Sequence, residues 1–507
     1  IDVFRVFDSL NWIPGMEIAL DEVLNQNKIA EATLCYTGDV SDPKEDKYTL
    51  GYYTKMAKEL EHRGAHILCI KDMSGLLKPY AAHKLVKALK EETGLPIHLH
   101  THDTSGNQIA ALLMAAEAGV DIVDTAVSSM SSLTSQPSMN SLVAALQGQE
   151  RDTGLSLERL QELTDYWSDV RERYRSFEGG IKYPATDIYR YEIPGGQYTN
   201  LKPQVESLGL GHRFEEVKEM YRTVNEMLGG LVKVTPSSKM VGDLAIFMVQ
   251  NDLTPKNIVE RGENLTFPDS AVSYFKGMMG QPQWGFPKEL QRVVLKGEEP
   301  ITCRPGELLP PMDFEAAKER LKQFVPEPDW RMVISWCFYP KVVEDFLKSR
   351  REYGYITRLG SHVYFHGLAE GETNRVEIED GKTLVIKYLG KSELNPDGTR
   401  TVFFELNGIR REVSVQDKGA KVTVESIPMA DPNDLSHVGA SIPGIVSKIL
   451  VKPGEKVKRN QVLAVVEAMK METNVIALMD GEMDEILVKE GKEIKAGELL
   501  MTVKTVK

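Results

Sequence analysis

The sequence predicts a multidomain chain led by an α/β barrel of the TIM type, and three observations carry that prediction. Short apolar runs at residues 3–7, 32–36, 66–70, 97–102 and 122–126 have the length and composition of buried strands. Helical patterns separate them: Leu85 and Leu89 mark an apolar face ended by Gly94, and residues 109–117 follow Thr104-Ser105 and stop before Gly119. No GxGxxG turn follows the first run, where an open doubly wound sheet usually carries one. Five β/α units do not close a barrel. They are therefore expected to be the last five of eight, with three more upstream of Ile1, which opens inside an apparent strand.

A chain of 507 residues exceeds one core, and at about 100–200 residues per domain it predicts three or four domains. Residues 1–157 read as the partial barrel. Residues 158–327 read as its helical extension, with apolar spacing at 214–227 and 241–249. A small α+β or β-barrel module follows at 328–428: a helix near 342–353, then strands around 363–366, 383–389 and 402–406. Asn407-Gly408 between two apolar runs is a strong hairpin signal. Residues 429–435 read as a flexible linker, and 436–507 as an all-β domain.

The formal charge of −13 leaves no basic field for nucleic acid, and no run approaches the ~20 apolar residues of a membrane helix. Cys35, Cys69, Cys303 and Cys337 show no metal-ligand spacing. Cys35 and Cys69 lie in strand-like runs and read as buried thiols of a reducing compartment. A cytoplasmic protein without nucleic-acid or membrane partners is expected.

The C-terminal domain contains a repeat. Gly444, Ile449-Leu450-Val451-Lys452-Pro453-Gly454 and Val462-Leu463 return 37 residues later as Gly481, Ile486-Leu487-Val488-Lys489-Glu490-Gly491 and Leu499-Leu500. Two such halves predict a flattened barrel or sandwich with Lys470 on a hairpin tip near their join. Lys470 stands in Glu467-Ala468-Met469-Lys470-Met471-Glu472-Thr473, which looks like a biotin attachment site. A lipoyl domain shares this fold, but its lysine usually lacks flanking methionines. An unmodified surface turn is the plain alternative.

Chemistry concentrates on two neighbouring strands. His98, His100 and His102 alternate along one strand and share a face. At the C-terminal end of a barrel strand, His100 and His102 form a fork suited to a metal, while the deeper His98 is expected to pack. Lys71 ends the preceding run. It is either a lysine snorkelling at the strand mouth or, if carbamylated to an anion, an oxygen ligand. Thr235-Pro236-Ser237-Ser238-Lys239 could be a plain helix start, and the stretch around Gln197 a plain turn.

Taken together, Phe4-Arg5-Val6-Phe7-Asp8-Ser9-Leu10-Asn11, Ile70-Lys71-Asp72-Met73, His98-Leu99-His100-Thr101-His102-Asp103-Thr104, Pro194-Gly195-Gly196-Gln197-Tyr198-Thr199-Asn200 and Val234-Thr235-Pro236-Ser237-Ser238-Lys239 resemble the carboxyltransferase domain of the pyruvate carboxylase family. The Lys470 domain completes the order, so the resemblance covers essentially the whole chain. It implies transfer of CO2 from carboxybiotin to pyruvate, giving oxaloacetate. It makes His100, His102 and carbamylated Lys71 ligands of a divalent metal, Mn or Zn, Thr235 a proton-relaying hydroxyl, and Lys470 the biotinylated lysine. Gln197, Ser238 and Lys239 match positions lining the pocket for the biotin ring. The family's aspartate ligand and substrate-gripping arginine have no counterpart here and are expected upstream. So is the biotin carboxylase domain that uses ATP and Mg. The resemblance further implies a homotetramer with acetyl-CoA as activator. Oxaloacetate decarboxylase α subunits and transcarboxylase subunits share the barrel and metal motif. The stretch at 195–201 and the strand-rich module favour pyruvate carboxylase over them. A non-catalytic biotin carrier scaffold is the alternative from another class.

Overall fold

The computed structural model describes every residue except 180, 396–397, 418, 420–427, 432–433, 469–470 and 506–507. The chain divides into two units, Ile1–Leu308 with Ile427–Lys507, and Leu309–Ser426.

The first unit opens with five parallel strands, β1 (Val3–Val6), β2 (Ile29–Cys35), β3 (Ile67–Asp72), β4 (Ile97–Thr101) and β5 (Ile122–Val123). Their spatial order is β1-β2-β3-β4-β5, so each strand adds beside its predecessor. A doubly wound sheet reverses direction at a switch point. This one does not, as in the wall of a barrel.

Helices α1 (Ile13–Asn25), α2 (Leu50–His62), α3 (Pro79–Glu92) and α4 (Gln108–Glu117) connect the strands. Apolar side chains at helical spacing bury one face of each, as with Tyr53, Met56, Ala57 and Leu60 on α2 and Ala81, Ala82, Leu85, Val86 and Leu89 on α3. Thr49 caps α2 by accepting from the Tyr52 N–H, and Pro79 starts α3 where no donor is needed. The fifth strand is shorter than the expected 122–126. After Val123 the chain leaves β4, and Ala126 bridges to Ser138 instead.

The chain then becomes helical: α5 (Met139–Leu146), α6 (Leu157–Arg173), α7 (Ile188–Tyr191), α8 (Gly195–Ser207), α9 (Phe214–Met227), α10 (Ser237–Gln250), α11 (Ile258–Gly262), α12 (Asp269–Lys276), α13 (Lys288–Leu295) and α14 (Pro305–Leu308). Buried α10 is the hub, touching α8, α9 and α12.

The second unit contains α15 (Phe314–Leu321), α16 (Trp330–Phe338), α17 (Pro340–Tyr353) and α18 (Ser361–His366), with Ala317, Leu321, Val333 and Leu347 as its apolar core. An antiparallel meander follows, β6 (Thr373–Glu379), β7 (Lys382–Lys391), β8 (Thr399–Leu406) and β9 (Ile409–Gln416), in the order β6-β7-β8-β9. Among the described residues β6 and β9 do not pair, so the module is α+β and not a barrel. Residues 363–366, expected as a strand, form most of α18. Gly360 enters it in extended conformation and Gly367 ends it at φ 71°, donating to the Val363 carbonyl. The Asn407-Gly408 turn joins β8 to β9 with φ of 49° and 83°, the left-handed pair that a two-residue hairpin requires.

The C-terminal strands are β10 (His437–Gly439), β11 (Gly444–Ile449), β12 (Lys456–Val457), β13 (Val462–Ala468), β14 (Met471–Ile476), β15 (Gly481–Ile486), β16 (Glu493–Ile494) and β17 (Leu499–Lys504). They build two sheets, β14-β13-β11-β16 and β10-β17-β15-β12. Replacing each strand of one sheet by its repeat partner gives the other. A side chain at Gly444 would stand 2.5 Å from the Glu467 carbonyl oxygen, and one at Gly481 would stand 2.5 Å from that of Lys504. The repeat thus keeps glycine at both close crossings. The last pair of the β13–β14 hairpin is Ala468 with Met471. Lys470, expected at its tip, lies outside the described residues.

Candidate functional site

Parallel register places the inward side chains in layers. Arg5 lies beside Glu31, Cys69 beside His98, and Lys71 beside His100. The deepest layer is ionic. Arg5 donates to Glu31 at 2.6 Å and to Asp124 at 2.9 Å, and His98 reaches Glu31 at 3.1 Å and Asp124 at 2.9 Å. Burial alone would discharge His98, but hydrogen bonds to Asp124 and Glu31 outweigh it and raise its pKa. Burial likewise pushes the Asp124 carboxyl up, and His100, His98 and Arg5 outweigh that and hold it far below the carboxylate range. Arg5 and His98 thus share the same two anions, Glu31 and Asp124. His98, expected to pack, is buried for a polar reason: each ring nitrogen has a carboxylate partner.

Above this layer His100 Nδ1 lies 2.7 Å from Asp124 Oδ2, and His102 Nδ1 lies 2.7 Å from the Thr134 carbonyl oxygen. Both partners only accept, so both Nδ1 atoms carry the proton and both Nε2 atoms present lone pairs. Burial, reinforced by the nearby His100 and Lys71, lowers the His102 pKa to about 4, keeping it neutral. The two Nε2 atoms stand 3.4 Å apart. Two nitrogens held at about 2.05 Å by one tetrahedral metal ion would be about 3.3 Å apart. The pair therefore fits a shared cation. Among the described residues no third His, Cys, Asp or Glu completes a cluster, so Lys71, on the neighbouring strand, is the adjacent group available to extend it.

The second cluster is tied to the first by the chain. Lys71 Nζ lies 5.3 Å from the centre of the Phe7 ring. Phe7, Asp8, Trp12, Thr235 and Gly280 line a cavity of about 690 Å³. Thr235 is held there from both sides. Lys233, 2% exposed, pairs with Glu192 at 2.8 Å, and Ser237 Oγ lies 2.7 Å from the Val234 carbonyl oxygen and 3.2 Å from that of Ser9. Asp8 fixes the facing loop, with Oδ1 accepting from the Leu10 and Trp12 N–H groups. Burial raises its pKa despite those bonds.

Gln197 stands on α8, and Ser238 and Lys239 stand on α10, which packs against it. A side chain at Gly242 would come within 2.7 Å of Gln197 Nε2, so glycine there lets Gln197 lie against α10. Ser238 is buried, and Lys239 bonds Asp243 at 2.8 Å. The start of α8 adjoins the histidine pair. Gly195 donates to the Met73 carbonyl, and a side chain on it would touch the Thr134 backbone, whose carbonyl holds His102. Sequence reasoning did not single out Asp124, Glu31, Thr134 or Lys233. Asp124 lies one position past β5, the strand that pairs beside His98, so its role shows only once the strands are paired.

Three family models match the chain: "HMGL-like" over residues 27–166, "Conserved carboxylase domain" over 188–387 and "Biotin-requiring enzyme" over 434–503. The chain is 53% identical over 482 residues to pyruvate carboxylase of Bacillus subtilis, covering 95% of itself and 42% of that protein. It thus spans less than half the length of such relatives. The carboxyl transferase domain of Rhizobium etli pyruvate carboxylase superposes with a TM-score of 0.78 at 48% identity, covering 83% of this chain and 71% of that one. A structure of the same domain with pyruvate and biocytin matches equally well.

Proposed function

Because the chain belongs to the pyruvate carboxylase family, we propose that it is the carboxyltransferase and biotin-carrier portion of such an enzyme, moving CO2 from carboxybiotin to pyruvate to give oxaloacetate. The observation that carries this reading is the His100–His102 pair, with both Nε2 atoms free and 3.4 Å apart, beside Lys71 and on the same side as the Thr235 cavity.

In this reading His100, His102 and a carbamylated Lys71 hold a divalent cation, Zn or Mn, and Lys470 carries the biotin. A cation bound there supplies Lewis acidity at the pyruvate carbonyl. Biotin on Lys470 supplies the carboxyl group to be transferred. Asp124 and Thr134 aim the imidazoles by holding their Nδ1 atoms. Thr235 Oγ1 would accept the proton leaving the pyruvate methyl carbon while its own proton passes to the biotin ureido group that has given up CO2. A threonine hydroxyl is far too weakly acidic to act as a stand-alone base, so the two transfers are concerted. Gln197, Ser238 and Lys239 line the pocket for the biotin ring, and the buried α8–α10 contact keeps water from it. The five strands belong to an eight-stranded barrel. The whole enzyme joins these parts to an ATP-dependent biotin carboxylase domain in a cytoplasmic homotetramer activated by acetyl-CoA.

The test is metal content together with oxaloacetate decarboxylation in the presence of free biotin, on this chain and on the same chain extended upstream by three β/α units. Stoichiometric Zn or Mn with activity in the extended chain supports the proposal. Neither metal nor activity in that form overturns it and leaves a carrier scaffold.

A further inference from the structure

Glu192 ends α7 in the left-handed region, at φ 55° and ψ 33°. Glycine adopts that conformation freely, whereas a glutamate there is strained and persists only where its surroundings hold it. Here they hold it at both ends. Its carbonyl accepts from Ser74 Oγ at 3.5 Å, and its carboxylate pairs with Lys233 at 2.8 Å. Ser74 follows Lys71 by three residues, and Lys233 precedes Thr235 by two. Glu192 therefore links the loop after a proposed metal ligand to the loop of the proposed relay hydroxyl. Gly195 reinforces the first link by donating to the Met73 carbonyl at 3.3 Å.

The Lys233 end is equally defined. Its buried ammonium has three donors and three partners: Glu192, the Leu231 carbonyl oxygen at 2.9 Å and Thr37 Oγ1 at 3.4 Å. Thr37 lies two residues past β2, and Ser9, which Ser237 Oγ approaches at 3.2 Å, lies three past β1. Moored residues thus flank Thr235 at the mouths of β1 and β2, and Glu192 adds the mouth of β3. An apolar pair of similar size would commonly serve stability as well as a buried ion pair does. Apolar contact is non-directional, whereas an ion pair with hydrogen bonds fixes distance and direction.

We propose that Glu192 is a positioning residue for carboxyl transfer: through Lys233 it fixes the Thr235 hydroxyl relative to the cluster of Lys71, His100 and His102. The inference rests on the function proposed above. A relaying hydroxyl works only within hydrogen-bond reach of both its partners, and a misplacement of about 1 Å costs roughly 100-fold in rate.

Two variants cut the tie from opposite ends. Glu192→Gly removes the carboxylate while relieving the backbone strain, and Lys233→Met removes the buried charge. In the chain extended upstream and loaded with Zn or Mn, each should lower kcat for oxaloacetate decarboxylation about 10- to 100-fold, with KM within about twofold and metal content unchanged. The solvent deuterium isotope effect on kcat should rise, because delivery of the relayed proton becomes the slower step. Adding Glu192→Gly to Thr235→Ala should cost nothing further, since both act on one hydroxyl. Hydrogen exchange of the Val234 and Ser238 amides should quicken about tenfold in both variants. Unchanged kcat, loss of metal in step with activity, or losses that add to that of Thr235→Ala would overturn the assignment. A wild-type chain without metal or activity counts against the function alone. Exchange of those two amides then decides the tie, faster exchange in the variants supporting it and unchanged exchange overturning it.

Discussion

Asp124 Oδ2 sits 2.7 Å from His100 Nδ1 while the same carboxylate takes hydrogen bonds from His98 and Arg5. One buried anion therefore fixes the tautomer of a proposed ligand and anchors it to a charged layer below. Replacing Asp124 with Asn leaves a single acceptor where three donors converge. Affinity for Zn or Mn should fall about 10- to 100-fold with the fold retained. Competition with a chromophoric chelator measures it, and unchanged affinity would mean that the pair is aimed by something else.

Much of this was legible in the sequence, and the exceptions have physical causes. Alternation put His98, His100 and His102 on one face, because a strand's period is fixed. Asp124 stayed invisible because its role depends on which strand lies beside β4, and pairing is not written locally. The raised pKa of His98 likewise needs Glu31, 67 positions earlier in the chain. Residues 363–366 read as a strand because four consecutive bulky residues carry no period. The flanking glycines Gly360 and Gly367, which set the helix ends, were the overlooked signal.

Thr235 is exposed to the cavity and anchored through its neighbours Lys233 and Ser237 and not through its own side chain. Thr235→Ala should therefore fold normally yet slow carboxyl transfer about 100-fold or more. Thr235→Ser should keep most of the rate. Avidin blotting should show Lys470 modified equally in all three proteins. Lost modification in the alanine variant would point to misfolding and not to a lost relay.

Asp8 gives a pH dependence of defined sign. Burial raises its folded pKa above the ordinary 3.8, so its stabilising contribution is full below that value and is lost as pH rises through the folded pKa. Asp8→Asn keeps an acceptor for the Leu10 and Trp12 N–H groups without the buried charge. The variant should match or exceed the wild type in stability at pH 7 and lose the decline that the wild type shows above pH ~4. Urea midpoints across that range decide it, and identical pH profiles would rule out the assignment.

Gly75 follows Lys71 and faces the histidine strand from the next loop. Its φ is +76°, and an added Cβ would lie 2.3 Å from the His102 carbonyl oxygen, a backbone atom that cannot swing away. Gly75→Ala combines left-handed strain with that clash and should cost about 2–5 kcal/mol in urea unfolding. The displaced carbonyl belongs to a proposed ligand, so metal affinity should fall in the same variant even under conditions where it remains folded. Gly51 is the matched control. It lies in the first turn of α2 with only an ordinary contact 3.7 Å away, so Gly51→Ala should be neutral or stabilising by up to about 1 kcal/mol. Equal effects of the two substitutions would show that the close approach of Gly75 to His102 does not hold the site.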